Sequence, residues 1–263
     1  MLLQSLAGSK GVVGIGHWPN ICLASASWFL LEPGGSRRDA GRRWGGGRNP
    51  GRHRRHGILF SMNKPKLIYF DAPVSRGEEC RLALHLAGID FEDVRVKGAD
   101  WPELKAQMPY GGLPVLELPG KPALAHANAI LVLIGRRHDL HPADDFEAAR
   151  HEGMMQHVED LRAVVAPTIR MGDAEKKATR EALVAGFLPA WAQAAERNIL
   201  GTPFFGGEKI HVVDLKIHMA VRWFIGGKVD HIPATIFAGY PGLMRVHDAV
   251  RDHAGVKSWY AKA

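Results

Sequence analysis

The stretch KLIYFDAPVSRGEECRLALHLAG, residues 66–88, places a strand pattern directly before a helix pattern. Residues 66–70 are mostly apolar and aromatic, which is the composition of a buried strand. Leucine and alanine then recur at helical spacing up to Gly88, the expected C-terminal stop of the helix. Ser75 and Glu78 have the spacing of a capping box, which predicts Ser75 as the N-cap. The stretch therefore predicts a strand, a short turn and a helix.

The residues that follow extend this unit into a small α/β domain. The patterns predict, in chain order, a strand at 91–96, a hairpin formed by 114–118 and 123–125, and a helix at 127–137. A strand, helix and strand followed by two strands and a helix is a thioredoxin-like order of elements. We assign this domain to residues 63–141.

Strand patterns end at Pro142, and long helical patterns take their place. These patterns span residues 145–165, 174–198, 213–226 and 242–254. Asp214 follows His211 by three residues at the start of the third helix, where its carboxylate can reach back to a free backbone N–H. Helices of this length pack as a bundle, so residues 145–263 are predicted to form an all-helical domain against the first one.

The formal net charge of the chain, +7, is confined to its first part. Residues 1–62 contain nine lysines and arginines against two acidic residues, whereas the rest of the chain contains 25 of each sign. The predicted folded part is formally neutral. The charge therefore gives no reason to expect a nucleic-acid groove on the core.

Residues 1–62 differ in composition from the rest of the chain. Their Gly/Arg-rich run, 34–57, lacks apolar periodicity and predicts a disordered basic extension. The apolar run 21–31 is too short to span a bilayer. Three interpretations remain open: an organelle transit peptide, a basic arm that touches anionic surfaces, and an extension without a folded role upstream of a true start at Met62.

The number and spacing of cysteines and histidines limit which disulfides, metal sites and thiol reactions the chain can support. Cys22 and Cys80 are too few for a disulfide framework, which fits a reducing, cytoplasmic location. Neither residue type has the spacing of a metal site, and the histidines are scattered singly, so we expect no bound metal. Cys80 falls on the apolar stripe of the first helix, which favours structural burial over thiol-transfer chemistry.

Six short motifs, in order and in register, resemble the tyrosine-type cytosolic glutathione transferases, especially the sigma and pi classes. They are KLIYF (66–70), SRGEECR (75–81), WPELK (101–105), PYGGLPVLE (109–117), NAI (128–130) and VEDLR (158–162). The resemblance covers the chain from about Lys64 to the C-terminus. It implies a homodimer that binds glutathione in the thioredoxin-like domain and a hydrophobic electrophile beside it, against the helical domain.

The resemblance also assigns site residues. It implies that Tyr69 is the catalytic tyrosine and that Pro114 follows Leu113 through a cis peptide bond. The other positions that match the glutathione site are Arg76, Trp101, Lys105, His126, Ala127 and Asp160, with Asp160 reaching glutathione on the partner subunit. A free thiol has a pKa of roughly 8.5, and a hydroxyl that donates to the sulfur favours the thiolate. Tyr69 at the end of a strand can supply that hydroxyl.

Each assignment has a plainer alternative. Tyr69 and Trp101 are also suited to packing in a core, and the charged residues to a solvated helix face. The electrophile pocket is predicted to be lined from the helical domain, with these candidates, each of which is also a natural core residue: Met154, Met155, Val158, Met171 and Trp223.

The chain departs from the family pattern before its third helix. The family has Gln-Ser or Gln-Thr there, and the hydroxyl binds the γ-glutamyl carboxylate of glutathione; this chain has His126-Ala127. Loss of one hydrogen bond to a charged group costs about 1.5–3 kcal/mol, roughly ten- to a hundredfold in affinity. Gly112 also replaces a longer polar residue. Glutathione conjugation is therefore the leading hypothesis; isomerisation, peroxide reduction and a non-enzymatic glutathione-transferase-like dimer remain alternatives.

Overall fold

The computed structural model describes residues 64–262. The predicted disordered extension, residues 1–62, lies outside the described residues. Within the described part, a sheet with flanking helices comes first and a set of helices follows. No helix among residues 64–262 is long and apolar enough to cross a membrane.

The sheet has four strands in the order β2-β1-β3-β4. The strands are β1 (Lys66–Phe70), β2 (Glu92–Val96), β3 (Val115–Glu117) and β4 (Leu124–Ala125). β2 runs parallel to β1, whereas β3 is antiparallel to both β1 and β4. The parallel pair requires a crossover connection, and the first helix supplies it. The predicted strand, crossover helix and hairpin are all confirmed.

Three helices accompany this sheet: α1 (Ser75–Leu86), α2 (Trp101–Lys105) and α3 (Ala127–Arg137). α1 and α3 pack against each other and bury a shared apolar surface with β1. Gly88 has a φ of +67°, the left-handed conformation that ends α1, as predicted. The Leu113–Pro114 peptide bond is cis, as the resemblance implied. The thioredoxin-like fold is confirmed.

The predicted capping box at the start of α1 is wrong. Val74 is the N-cap, and no side chain caps the helix there. Ser75 has a φ of +58°, and its hydroxyl lies near the Tyr69 side chain, where it lowers the pKa of the phenol in part. Glu78 accepts hydrogen bonds from Arg81 and from Trp259. The Glu78 carboxylate is therefore bound to other side chains, one of them distant in the sequence, and not to the helix N-terminus.

The second half of the chain is helical, in agreement with the prediction. It contains α4 (Asp145–Val165), α5 (Asp173–Ala185), α6 (Phe187–Asn198), α7 (Val212–Ile225), α8 (Pro241–Asp252), α9 (Ala254–Tyr260) and a 3₁₀ turn at Ala166–Arg170. The single helix expected at 174–198 is wrong, because the chain breaks at Gly186. Pro189 explains the break: its ring collides with the carbonyl four residues back, at Ala185, so a continuous helix cannot pass this point.

α7 is the central helix of the molecule. Eleven of its residues are buried, and it packs against α1, α3, α4 and α8. The buried carboxylate of Asp214 accepts the backbone N–H of His211 at 2.7 Å and that of Phe205 at 2.8 Å. The predicted reach of Asp214 back to a free donor is confirmed. The second bond, which ties the preceding loop to the helix, was not anticipated.

We expect Asp214→Ala to lower the free energy of unfolding by about 2–4 kcal/mol, because two backbone donors lose their acceptor. Urea denaturation followed by circular dichroism measures this. Asp248→Ala removes a half-exposed carboxylate that, among residues 64–262, forms an ion pair with Arg251 on the same helix, and it should change stability by less than about 0.5 kcal/mol. Equal effects of the two variants would contradict the capping role of Asp214.

Candidate functional site

Tyr69 lies at the junction between β1, α1 and the helical half of the chain. It is the fourth residue of β1, and only 8% of its surface is exposed. Its ring lies directly over Gly77: a Cβ at Gly77 would come within 1.9 Å of the Tyr69 Cδ1 atom. A side chain at position 77 would therefore displace the tyrosine. Position 77 of the SRGEECR motif must therefore be glycine for the Tyr69 ring to keep its place.

Charged groups from two helices surround the Tyr69 hydroxyl. Burial raises the pKa of Tyr69 above its ordinary value, and the nearby positive charge of Arg76 lowers it in part. Glu79 raises the same pKa further, whereas Arg162 and the Ser75 hydroxyl lower it. Because the net shift is upward, Tyr69 stays a neutral phenol at pH 7. It is therefore a hydrogen-bond donor and not a base.

Arg81 fixes the loop between Tyr69 and α1. Its side chain is fully buried, and its guanidinium lies 5.7 Å from the Tyr69 ring centroid. The guanidinium donates to the carbonyl oxygens of Phe70 at 3.2 Å and Ala72 at 2.8 Å, and Nε donates to Asp93 at 2.9 Å. Two of its hydrogen bonds thus hold the backbone of this loop, while Glu78 and Asp93 accept the others. The direction of the Tyr69 side chain is set by this loop.

Arg76, a predicted glutathione residue, forms an ion pair with the helical half of the chain. Its Nε donates to Glu159 Oε2 at 2.8 Å, and Nη2 lies 2.7 Å from the same oxygen. Glu159 belongs to the VEDLR motif of α4, and its pKa is lowered to about 2: burial opposes the shift, but Lys216 and Arg162 outweigh it. The carboxylate is therefore ionised at neutral pH and holds Arg76 beside Tyr69.

Four other predicted residues of the thioredoxin-like half lie in the segment between β2 and β3. Leu113 and the cis-Pro114 lead directly into β3. Trp101 packs edge-to-face on Phe70, with ring centroids 5.3 Å apart. The Lys105 side chain is exposed and runs beside Gly111. These positions remain predictions for glutathione binding.

The start of α3, where the chain departs from the family pattern, has an unusual backbone geometry. His126 is exposed, has a φ of +70° and acts as the N-cap without a side-chain cap bond. Its ring stacks on the exposed Tyr110 at 4.9 Å. Ala127 is buried and contributes no hydroxyl. The first turn of α3 carries no acidic side chain, so its backbone N–H groups present a positive partial charge to an anion.

The remaining predicted residues fall in different environments. Asp160 is exposed and accepts a hydrogen bond from Gln156 at 3.1 Å. Met154, Met155 and Val158 are buried in the main core, while Met171 and Trp223 are half-buried. Met154 borders a cavity of about 330 Å³ between α4 and α6, and Met155 borders one of similar volume beside α3. The five pocket candidates therefore do not line one pocket.

Cysteine and histidine placement refines two expectations. Cys80 is fully buried, as predicted, and burial raises the pKa of its thiol, so it stays protonated. The expectation that histidines are scattered singly is wrong. The ring of His151 lies 6.2 Å from that of His141 and 5.1 Å from that of His211. No group of three such side chains in the described part of the chain is arranged to hold a metal ion.

Comparison with known proteins identifies the family. The family model described as "Glutathione S-transferase, N-terminal domain" matches residues 65–136, and the one described as "Glutathione S-transferase, C-terminal domain" matches residues 159–263. Glutathione S-transferase 1 of Ascaris suum is 30% identical over 209 residues, which cover 76% of this chain and 97% of that protein. The chain belongs to the glutathione S-transferase family.

Two further relatives of this chain carry a different name. Hematopoietic prostaglandin D synthase of Gallus gallus is 26% identical over 202 residues, covering 76% of this chain and 97% of that protein. Among solved structures, prostaglandin synthase D of Nilaparvata lugens matches with a TM-score of 0.67 at 25% identity, covering 76% of this chain and 98% of the other. The thioredoxin-like plus helical architecture is thus that of the family.

Sequence reasoning missed the buried charged network that reaches Tyr69 through Glu79 and Arg162. Glu79, Arg162 and Lys216 are almost completely buried, and Glu159 is partly so. Lys216 offered a signal, because it stands in VVDLKIHMAVRWFI, where nearly every neighbour is apolar. A lysine in a buried helix requires a carboxylate partner. The sequence did not reveal which carboxylates these are.

We expect Gly77→Ala to move Tyr69 and to reduce conjugating activity at least tenfold, because the added methyl occupies the space of the ring. Steady-state kinetics with glutathione and a chromogenic aryl halide measures the loss. Gly153→Ala is the matched control: it lies in α4 with no neighbour within 4 Å of the new methyl, so activity should be unchanged. Full activity in Gly77→Ala would show that the tyrosine position is not needed.

Proposed function

We propose that this glutathione S-transferase conjugates glutathione to a small hydrophobic electrophile, with Tyr69 as the catalytic residue. The observation that carries the proposal is the buried, neutral Tyr69 hydroxyl placed among Ser75, Arg76 and Arg162. A donor hydroxyl with positive charge nearby is the environment that favours a thiolate over a thiol. The resemblance of the surrounding motifs to the family's glutathione site supports the same role.

In the proposed complex, glutathione pairs as an extended strand with the backbone at Leu113, ahead of β3. Lys105 offers a cation for the glycyl carboxylate, and Trp101 offers its indole N–H in the same region. The N-terminus of α3, at His126 and Ala127, faces the γ-glutamyl carboxylate. These contacts direct the cysteinyl thiol of glutathione towards Tyr69.

The reaction has two steps at the sulfur atom. The thiol first releases its proton to solvent, and the thiolate accepts a hydrogen bond from the Tyr69 hydroxyl. The sulfur lone pair then forms a bond to an electrophilic carbon. The displaced electron pair leaves with a halide-type leaving group or, in an addition, ends on a neighbouring atom that takes a proton from water. Tyr69 keeps its own proton throughout, in agreement with its raised pKa.

Two other functions have specific support. The relatives named prostaglandin D synthase favour an isomerisation in which the thiolate opens a substrate bond and is regenerated, so that glutathione is not consumed. Ala127 favours a structural or ligand-binding dimer with a weakened glutathione site. Retention of Tyr69 and Arg76 at the junction favours an enzyme.

The proposal includes a homodimer. Asp160 is exposed on α4 next to the inward-facing Glu159, where it is accessible to a second copy of the chain. The resemblance implies that this carboxylate reaches glutathione on the partner subunit. A cytoplasmic location, expected from the low cysteine content, stays a prediction.

We expect Tyr69→Phe to lower kcat/KM for conjugation about ten- to a hundredfold, the value of one hydrogen bond to a charged sulfur. Isothermal titration calorimetry should show glutathione affinity changed by less than about threefold, since the other binding groups remain. Tyr240→Phe removes a hydroxyl that donates to the Pro189 carbonyl and should leave kcat/KM unchanged. Wild-type activity in Tyr69→Phe would contradict the catalytic role.

We expect Ala127→Ser to tighten glutathione binding about ten- to a hundredfold, because the new hydroxyl adds a hydrogen bond to the γ-glutamyl carboxylate. The same calorimetry on the full chain measures it. Ala129→Ser, on the exposed side of the same first turn, is the control and should not change affinity. An unchanged affinity in Ala127→Ser would place the γ-glutamyl group elsewhere.

A further inference from the structure

Five charged side chains from three helices form one network, which reaches Tyr69 through Arg76, Glu79 and Arg162. Arg76 and Glu79 belong to α1, Glu159 and Arg162 to α4, and Lys216 to α7. The side chains of Glu79 and Lys216 are 0% exposed, so this pair has no access to solvent. Their hydrogen bonds must therefore be made within the cluster.

Lys216 joins the two carboxylates. Its Nζ donates to Glu159 Oε1 at 2.5 Å and to Glu79 Oε2 at 3.3 Å. Arg162 also donates to both, through Nη1 to Glu159 at 2.8 Å and through Nη2 to Glu79. Both oxygens of Glu159 are thus used: Oε1 takes the two buried cations, and Oε2 holds Arg76. The position of Arg76 depends on Glu159, which depends in turn on the buried pair.

The cluster contains three cations and two carboxylates, so it has one positive charge in excess. Stability does not explain such an arrangement, because well-packed apolar side chains usually stabilise a core as much as a buried ion network does. The excess charge lies next to the Tyr69 hydroxyl, where Arg76, Glu79 and Arg162 all act on the phenol. A thiolate bound there would supply the missing negative charge.

We propose that Glu79 and Lys216 are positioning residues of the thiolate site: through Glu159 they hold Arg76 against Tyr69 and leave one positive charge to balance the glutathione sulfur. This inference rests on the proposed function. The groups that face Tyr69 are Ser75, Arg76 and Glu79 from α1 and Arg162 from α4, and Arg81 lies over its ring.

Lys216 has its own set of neighbours. The groups that face it are Glu79 and Cys80 from α1 and Glu159 and Arg162 from α4.

The test is a charge series in the full-length protein. Lys216→Met removes the excess charge, Glu79→Gln adds one, and the double variant restores the count of the wild type. The ultraviolet absorbance of the thiolate in the glutathione complex, titrated against pH, gives the pKa of the bound thiol. We expect this pKa to rise by about one unit in Lys216→Met, to fall by about one unit in Glu79→Gln and to return to the wild-type value in the double variant.

The outcomes separate the two proposals. A wild-type complex without a thiolate signal would overturn the proposed function and this inference with it. A wild-type signal that titrates at the same pH in every variant would overturn the inference alone, as would variants that lose thermal stability without any shift. If Lys216→Met does not fold, the thiol pKa values of the wild type, Glu79→Gln and the double variant still test the inference: Glu79→Gln should have a lower value than the other two. Lys177→Met, in an exposed ion pair on α5, is the control and should not shift the titration.

Discussion

Burial of α7 is the constraint on which the rest of the structure depends. The helix is enclosed by α1, α3, α4 and α8, so each of its polar side chains had to find a partner inside the protein. Asp214 binds two backbone N–H groups, Lys216 binds two carboxylates, and His218 stacks on His247 while each ring bonds the other's backbone carbonyl. Through these contacts Asp214 joins the helix to the preceding loop, Lys216 joins it to α1 and α4, and His218 joins it to α8. A single buried helix thereby sets the relation between the sheet and the helical half.

The candidate site lies where this constraint meets the first strand. Gly77 and Arg81, which belong to the thioredoxin-like half, position Tyr69. On α4, Arg162 acts on the Tyr69 hydroxyl and Glu159 holds Arg76. The two halves contribute in different ways. Residues beside the sheet fix the position of the Tyr69 ring, and residues of the helical half contribute charges that act on its hydroxyl. A tyrosine at the end of a strand becomes a candidate thiolate donor only when both are present.

Local features of the chain were predictable because they depend on neighbouring residues. The strand at β1, the α1 stop at Gly88, the hairpin and the Asp214 cap all follow from spacing within a few residues. The capping box at Ser75 was wrong because Ser75 adopts a positive φ and Glu78 binds the distant Trp259 instead of the helix backbone. The break before α6 was missed although Pro189 marks it, because the apolar pattern continues across Gly186.

The sequence by itself determined the family, the order of elements and the identity of Tyr69 as the leading candidate, since motifs in register carry all three. It also revealed the missing hydroxyl at Ala127. Only the tertiary structure decided which charges surround the tyrosine. Glu79, Glu159 and Lys216 are far apart along the chain, and their approach is set by helix packing and not by spacing. Electrostatic interactions act through distance in space, so a charged site assembled from three helices becomes visible only when the chain is folded.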